Sequence, residues 1–143
     1  MRVGNVDGAV LARLQSDAPL MAIATDGVWY GNGANAHATR FVTVTRIDGH
    51  TEWEFGDEAW IELPYQIRCV IQSSSATQAN DAAARIHAVL NRQEAAITAT
   101  GFLTMCCALD FPIRYDQLDT ANPDIRWQHA GGQYRLWVVP TGG

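Results

Sequence analysis

At 143 residues the chain is long enough to bury a proper core, and 48% hydrophobic against 17% charged residues excludes a disordered segment. A net charge of −5 argues against a duplex-binding surface. All ten basic residues are arginines, the usage of a GC-rich genome, and the lack of lysine excludes Schiff-base and P-loop chemistry.

Three cysteines, Cys69, Cys106 and Cys107, make an odd number without C-x-x-C spacing. They read as reduced, buried, small apolar residues of a cytoplasm-assembled protein rather than as a disulfide framework. The first residues lack the apolar core of a signal peptide. No apolar run approaches the ~20 residues that cross a bilayer, so no membrane partner is expected.

In chain order, Val6, Val10, Leu11 and Leu14 recur at helical spacing and predict an N-terminal helix over about 5–17, with Asn5 as its N-cap. Asp17-Ala18-Pro19 ends it or opens a second turn, and Thr25-Asp26-Gly27 is a stop. Val28-Trp29-Tyr30 reads as a short strand. Gly31 to Thr39 has no periodicity and reads as an exposed loop; neither phosphate-binding glycine pattern is present. Phe41–Ile47 and Thr51–Phe55, separated by Asp48-Gly49, read as an extended hairpin near 41–55.

The clearest signal is the alternation that follows. Ile61, Leu63, Tyr65, Ile67, Cys69 and Ile71 share one parity; Glu62, Pro64, Gln66, Arg68 and Gln72 hold the other, with only Val70 out of place. This is a strand with one buried and one wet face. Pro64 marks an edge, a bulge or the strand start. Ser75-Ala76-Thr77-Gln78 matches a capping box. Ala79, Ala82, Ala83, Ile86, Val89 and Leu90 then form the stripe of the main helix, about 75–92, whose alanines let it lie close to a sheet.

Phe102 to Tyr115 reads as a long strand. It is apolar on both parities in its first half, as in a central strand, with a bend or bulge at Pro112. Cys106 and Cys107 point to opposite faces of it. Residues 116–125 read as a loop. Ile125–Gln128 and Gln133–Val139 read as two strands joined around Ala130-Gly131-Gly132. These elements predict an α+β domain.

No chemical site emerges. The histidines, His37, His50, His87 and His129, lack metal-ligand spacing. Ser73, Ser74 and Ser75 lack the glycines of a nucleophile elbow and read as a helix cap. Glu52, Glu54, Asp57, Glu58 and Glu62 form an acidic cluster. Alternation places Glu52 and Glu54 on one face and Trp53 and Phe55 on the other, so the acids read as a solvated or interface-facing surface. The five tryptophans read either as core or as a sheet face used for assembly. Trp137 is the best assembly candidate, since its parity groups it with Arg135.

The order of these pieces resembles the tail-completion or tail-terminator proteins of tailed bacteriophages, at the head–tail junction. The matching features begin with a helix followed by Thr25-Asp26-Gly27-Val28-Trp29-Tyr30. A strand Tyr65-Gln66-Ile67-Arg68-Cys69-Val70-Ile71 then leads to Ser73-Ser74-Ser75 and an alanine-rich helix ending Ala83-Ala84-Arg85-Ile86-His87-Ala88-Val89-Leu90. A polar loop with Pro123-Asp124 precedes the close on Trp127 to Val138.

The resemblance covers nearly the whole chain, 1–143, as one tail-terminator-like domain. It implies an α+β fold: a mainly antiparallel sheet covered on one side by the main helix and the N-terminal helix. It also implies a non-enzymatic virion protein without cofactor or metal, assembled in the bacterial host cytoplasm and resident at the head-proximal end of the tail. The implied partners are copies of itself in a hexameric ring, the tail tube protein and the head–tail connector or neck proteins, with DNA passing through the lumen without specific binding. The expected interface residues are Arg135, Trp137, Glu62, Gln66, Arg68, Glu52 and Glu54. Two alternatives remain: a neck or tube-adaptor protein of a phage-like particle, and a small-ligand-binding or enzymatic α+β domain.

Overall fold

The computed structural model describes residues 3–31, 34, 37–47, 51–55 and 58–141, and for 51–55 and 58–59 the backbone alone. Its elements are helix α1 (Gly4–Gln15), helix α2 (Ala18–Ile23), strands β1 (Val28–Tyr30), β2 (Arg40–Arg46), β3 (Thr51–Phe55) and β4 (Glu58–Gln72), helix α3 (Thr77–Leu90), a 3-10 turn (Glu94–Ala96), and strands β5 (Phe102–Leu118) and β6 (Arg126–Pro140). One six-stranded sheet runs β1-β2-β4-β6-β5, with β3 also paired to β4. All pairings are antiparallel except β1 with β2. This is the expected α+β class.

The alternation of β4 sets the layers. Ile61, Leu63, Tyr65, Ile67, Cys69 and Ile71 are all buried against the helices, together with Ala79, Ala82, Ile86, Val89 and Leu90 of α3 and Val6, Val10 and Leu14 of α1. Burial pushes the thiols of Cys69 and Cys107 up to about 12, which leaves both as unreactive core residues. Cys106, expected to be buried with them, is only half-buried, because it pairs with Trp137 on the face away from the helices. The Tyr65 hydroxyl donates to Asp7 Oδ1 at 2.5 Å and ties α1 to the sheet. Arg85 on α3 forks onto both carboxylate oxygens of Asp17, whose Oδ2 also caps α2 at the Leu20 amide. That fork holds the Asp17 carboxyl below its ordinary range.

Several local expectations change. Helix α1 begins at Gly4, and Asn5 does not cap it: its side chain reaches the Thr100 carbonyl instead. The capping box at α3 does not close. Ser75 Oγ accepts from the Thr77 amide, while Gln78 is taken by Arg40 Nη2 at 2.6 Å. A tertiary ion–dipole contact has outcompeted a local one.

The hairpin expected near 41–55 is displaced. β2 and β3 both form, but each pairs with β4 and not with the other, β2 along 65–71 and β3 along 58–62. The hairpin is therefore β3–β4; Asp48-Gly49 lies outside the described residues. Pro64 sits mid-strand in β4. Both backbone polar groups of one antiparallel residue point the same way, and the Pro64 carbonyl accepts from Ile47. Its missing N–H therefore faces Ile47, so this pair keeps only one of its two exchanged bonds, at the end of the β2 ladder, where the loss is tolerated.

The two strands expected around Ala130-Gly131-Gly132 are one continuous strand, β6. The glycines are not a turn. A Cβ at Gly131 would lie 2.0 Å from the Ile67 carbonyl oxygen and 2.6 Å from Arg68 Cα, so the close approach of β4 and β6 requires glycine there.

Strand β5, expected to be central, is an edge strand. Two register shifts against β6, between Thr104 and Cys106 and between Leu109 and Phe111, break its parity. Cys107 and Leu109 pair with the inward residues Leu136 and Tyr134, whereas Phe111 and Tyr115 pair with Gln133 and His129. The single apolar parity read from the chain is thus split between the two faces. The first half of the open edge is capped by the segment after α3: the Arg92 amide donates to the Cys107 carbonyl, and Asn91 Oδ1 accepts from the Leu109 amide.

Candidate assembly surface

The helices cover one face of the sheet and leave the other bare, which an antiparallel sheet tolerates when that face is polar. Here it is only partly polar. Leu103, Met105, Phe111 and Tyr115 are 57%, 52%, 49% and 43% exposed along β5, and Trp60 is 39% exposed. Trp60 and Trp137 meet at 6.2 Å between ring centroids and, with Met105, Cys106, Val138 and Val139, line an apolar depression of about 130 Å³. The first β5 bulge shapes this arrangement: Leu103 faces out by alternation, and the extra residue Met105 is exposed beside Cys106 while Thr104 stays in the core.

Beside the depression stands an ion cluster. Arg135 binds Glu62 at 2.6 Å and Asp110 at 3.1 Å, and Asp110 also accepts from Gln133. Two carboxylates share one guanidinium, leaving a formal charge of −1 at the rim.

Further along the same face lies Arg68. Its guanidinium donates to the Tyr115 hydroxyl, to Thr43 Oγ1 at 3.4 Å and to His129 Nδ1 at 3.4 Å. Tyr115 stacks on His129 with ring centroids 4.3 Å apart. Burial, joined by the Arg68 charge, pushes the His129 imidazole down to about 4. The ring is therefore neutral at physiological pH, with Nδ1 accepting from Arg68 and Nε2–H donating to Gln117 Oε1 at 3.1 Å. Thr43 and His129 also line an open cleft of about 360 Å³, with Phe41, Val70, Trp127 and Asp119. Val70, the one residue that broke the β4 alternation, lines this cleft.

The expected interface residues Glu62, Gln66, Arg68, Arg135 and Trp137 sit on β4 and β6 in positions facing away from the helices, and Arg135 and Glu62 meet directly. Glu52 and Glu54 lie on β3; their side chains are outside the described residues. Sequence reasoning missed Trp60, Leu103, Met105, Asp110, Phe111, Tyr115 and His129. The available signal was β5's apolar content on both parities, which fits a bulged edge strand as well as a central one. None of the four described tryptophans is buried: Trp29 and Trp60 are exposed, Trp127 and Trp137 half-buried. Among the described residues no group of three or more His, Cys, Asp or Glu side chains could hold a metal ion. No described helix is long and apolar enough to cross a membrane.

No protein-family model matches the chain, and no curated protein matches it. Among solved structures the chain is similar to one in the virion of a native gene transfer agent (GTA) particle, with a TM-score of 0.75, 16% identity, and coverage of 96% of both chains. At that identity the likeness establishes a common fold, extending over essentially the full length of each chain.

Proposed function

We propose that this protein is a structural subunit of a phage-like virion that acts by assembly and without catalysis. It caps or completes the tail tube and joins it to the head as a ring of identical subunits. The observation that carries this reading is the fold shared end to end with a chain of a gene transfer agent virion. The bare sheet face supports it. An apolar strip of exposed leucine, methionine and aromatic side chains, bordered by an ion cluster, has the composition of a protein–protein contact. A ring needs a heterologous contact closed by rotation. An acidic subunit suits a channel for DNA that must not bind it.

The test is particle completion. Leu103→Asp with Trp60→Ser places polar groups at two exposed positions and leaves the core untouched. Virions made with the double variant are expected to show heads separated from tails, while the purified variant keeps the wild-type circular dichroism spectrum. Normal joining by this variant would remove the strip from the contact. Normal particles in the absence of the gene would remove the function.

A further inference from the structure

Arg68 is one of several described arginines without a carboxylate partner, and it lies in the bare face of the sheet beside the open cleft. Arg85, Arg126 and Arg135 each meet a carboxylate at 2.6–3.1 Å. Arg68 is half-buried in the bare face, and its three hydrogen-bond partners, Thr43, Tyr115 and His129, are all uncharged. The acid nearest in the adjoining cleft, Asp119, is already engaged: its carboxylate accepts from Trp127 Nε1 and from the amides of Ala121 and Asn122. A guanidinium preorganised by three neutral acceptors, beside an open cleft, is a seat for a carboxylate.

The same chain carries the complementary charge. Glu52 and Glu54 lie on β3, and Glu58 opens β4, within one hairpin. Among the described residues β3 pairs only with β4, off the main path of the sheet, and no described strand lies along its other edge. Glu52 stands opposite Ile61 and Glu54 opposite Ala59, seven and nine positions along β4 from Arg68. At ~3.3 Å per residue that separation exceeds about 20 Å, beyond the reach of a glutamate in the same chain. Resting on the assembly reading above, we propose that the acidic β3–β4 hairpin of one copy docks on the Arg68 cleft of the next, with Glu52 or Glu54 paired to Arg68. Donor and acceptor surfaces lie at different places on the subunit. The contact is therefore heterologous and propagates from copy to copy, as ring closure requires.

Charge exchange tests this on the full chain. Sedimentation velocity over a concentration series is expected to show salt-sensitive self-association of the wild type. R68E alone, and E52R/E54R alone, are expected to weaken it by about tenfold or more, the loss expected on breaking a charged contact pair. An equimolar mixture of the two variants is expected to regain it, because each arm then meets a cleft of opposite sign. R68Q and a thermal melt of every variant separate loss of contact from loss of fold; if R68E does not fold, E52R/E54R on the hairpin carries the same test. Wild-type association by either single-charge variant, failure of the mixture to recover, or a strictly monomeric wild type would overturn the contact. Particle completion by E52R/E54R would remove this contact and leave the virion role standing. Complete particles without the gene would remove the role itself.

Discussion

Gly131 shows how one missing side chain holds two strands together. The Ile67 carbonyl occupies the space where a Cβ would sit, at 2.0 Å, and the obstacle is backbone that cannot rotate away. Gly131→Ala should therefore cost at least the ~1–3 kcal/mol typical of overpacking, read as a lower urea midpoint with an unchanged m-value. His129 makes a different single-residue statement. Its folded pKa, about 4, lies below the ordinary 6.5, so the unfolded chain takes up a proton between those values that the folded chain refuses. Its contribution is intact above pH 6.5 and is lost as pH falls toward 4. Denaturant titrations across that window should show stability declining with acid, and His129→Gln should flatten the decline. Asp17, lowered by the Arg85 fork, adds a loss of the same sign at more acid pH, as its carboxylate is protonated.

Strand β5 carries the largest disagreement between pattern and structure at the level of secondary elements. Its two bulges invert the phase of residues 106–109, so Cys107 reaches the core while Leu103, Met105, Phe111 and Tyr115 face out. Deleting Met105 would remove the first bulge and leave the pairing on both sides in register, with Thr104 opposite Val138 and Cys106 opposite Trp137. Phe102 and Thr104 would stay in the core and Leu103 outside it. The expected result is a strand that keeps its core contacts and loses the Met105 wall of the apolar depression beside Trp60 and Trp137, checked by melting and by the tryptophan emission maximum. Helix α3 shows the opposite case. Its alanine stripe was legible because period and small side chains agree with the close approach to β6, whereas its cap depended on Arg40, thirty-eight residues away from Gln78.

For the subunit as a whole, the bare sheet face and the acidic hairpin define two surfaces, and assembly is the property they make testable. If the apolar strip is buried in a ring, wild-type association should strengthen on warming from the cold, as apolar burial predicts. The Arg68–hairpin contact should instead weaken with added salt. Light scattering across temperature and ionic strength separates the two contributions. Association insensitive to both would argue against either surface.

The chain's own pattern determined the α+β class, the inward face of β4, the stripe of α3 and the burial of Cys69 and Cys107. Each rests on local periodicity that burial then reinforces. Tertiary structure alone decided the partner of β3, the edge position of β5, the continuity of β6 through two glycines and the gathering of Thr43, Arg68, Tyr115 and His129 at one place. Strand pairing is a contest among distant segments, and one extra residue in a bulge reverses every side chain beyond it. No window of sequence contains both sides of that contest.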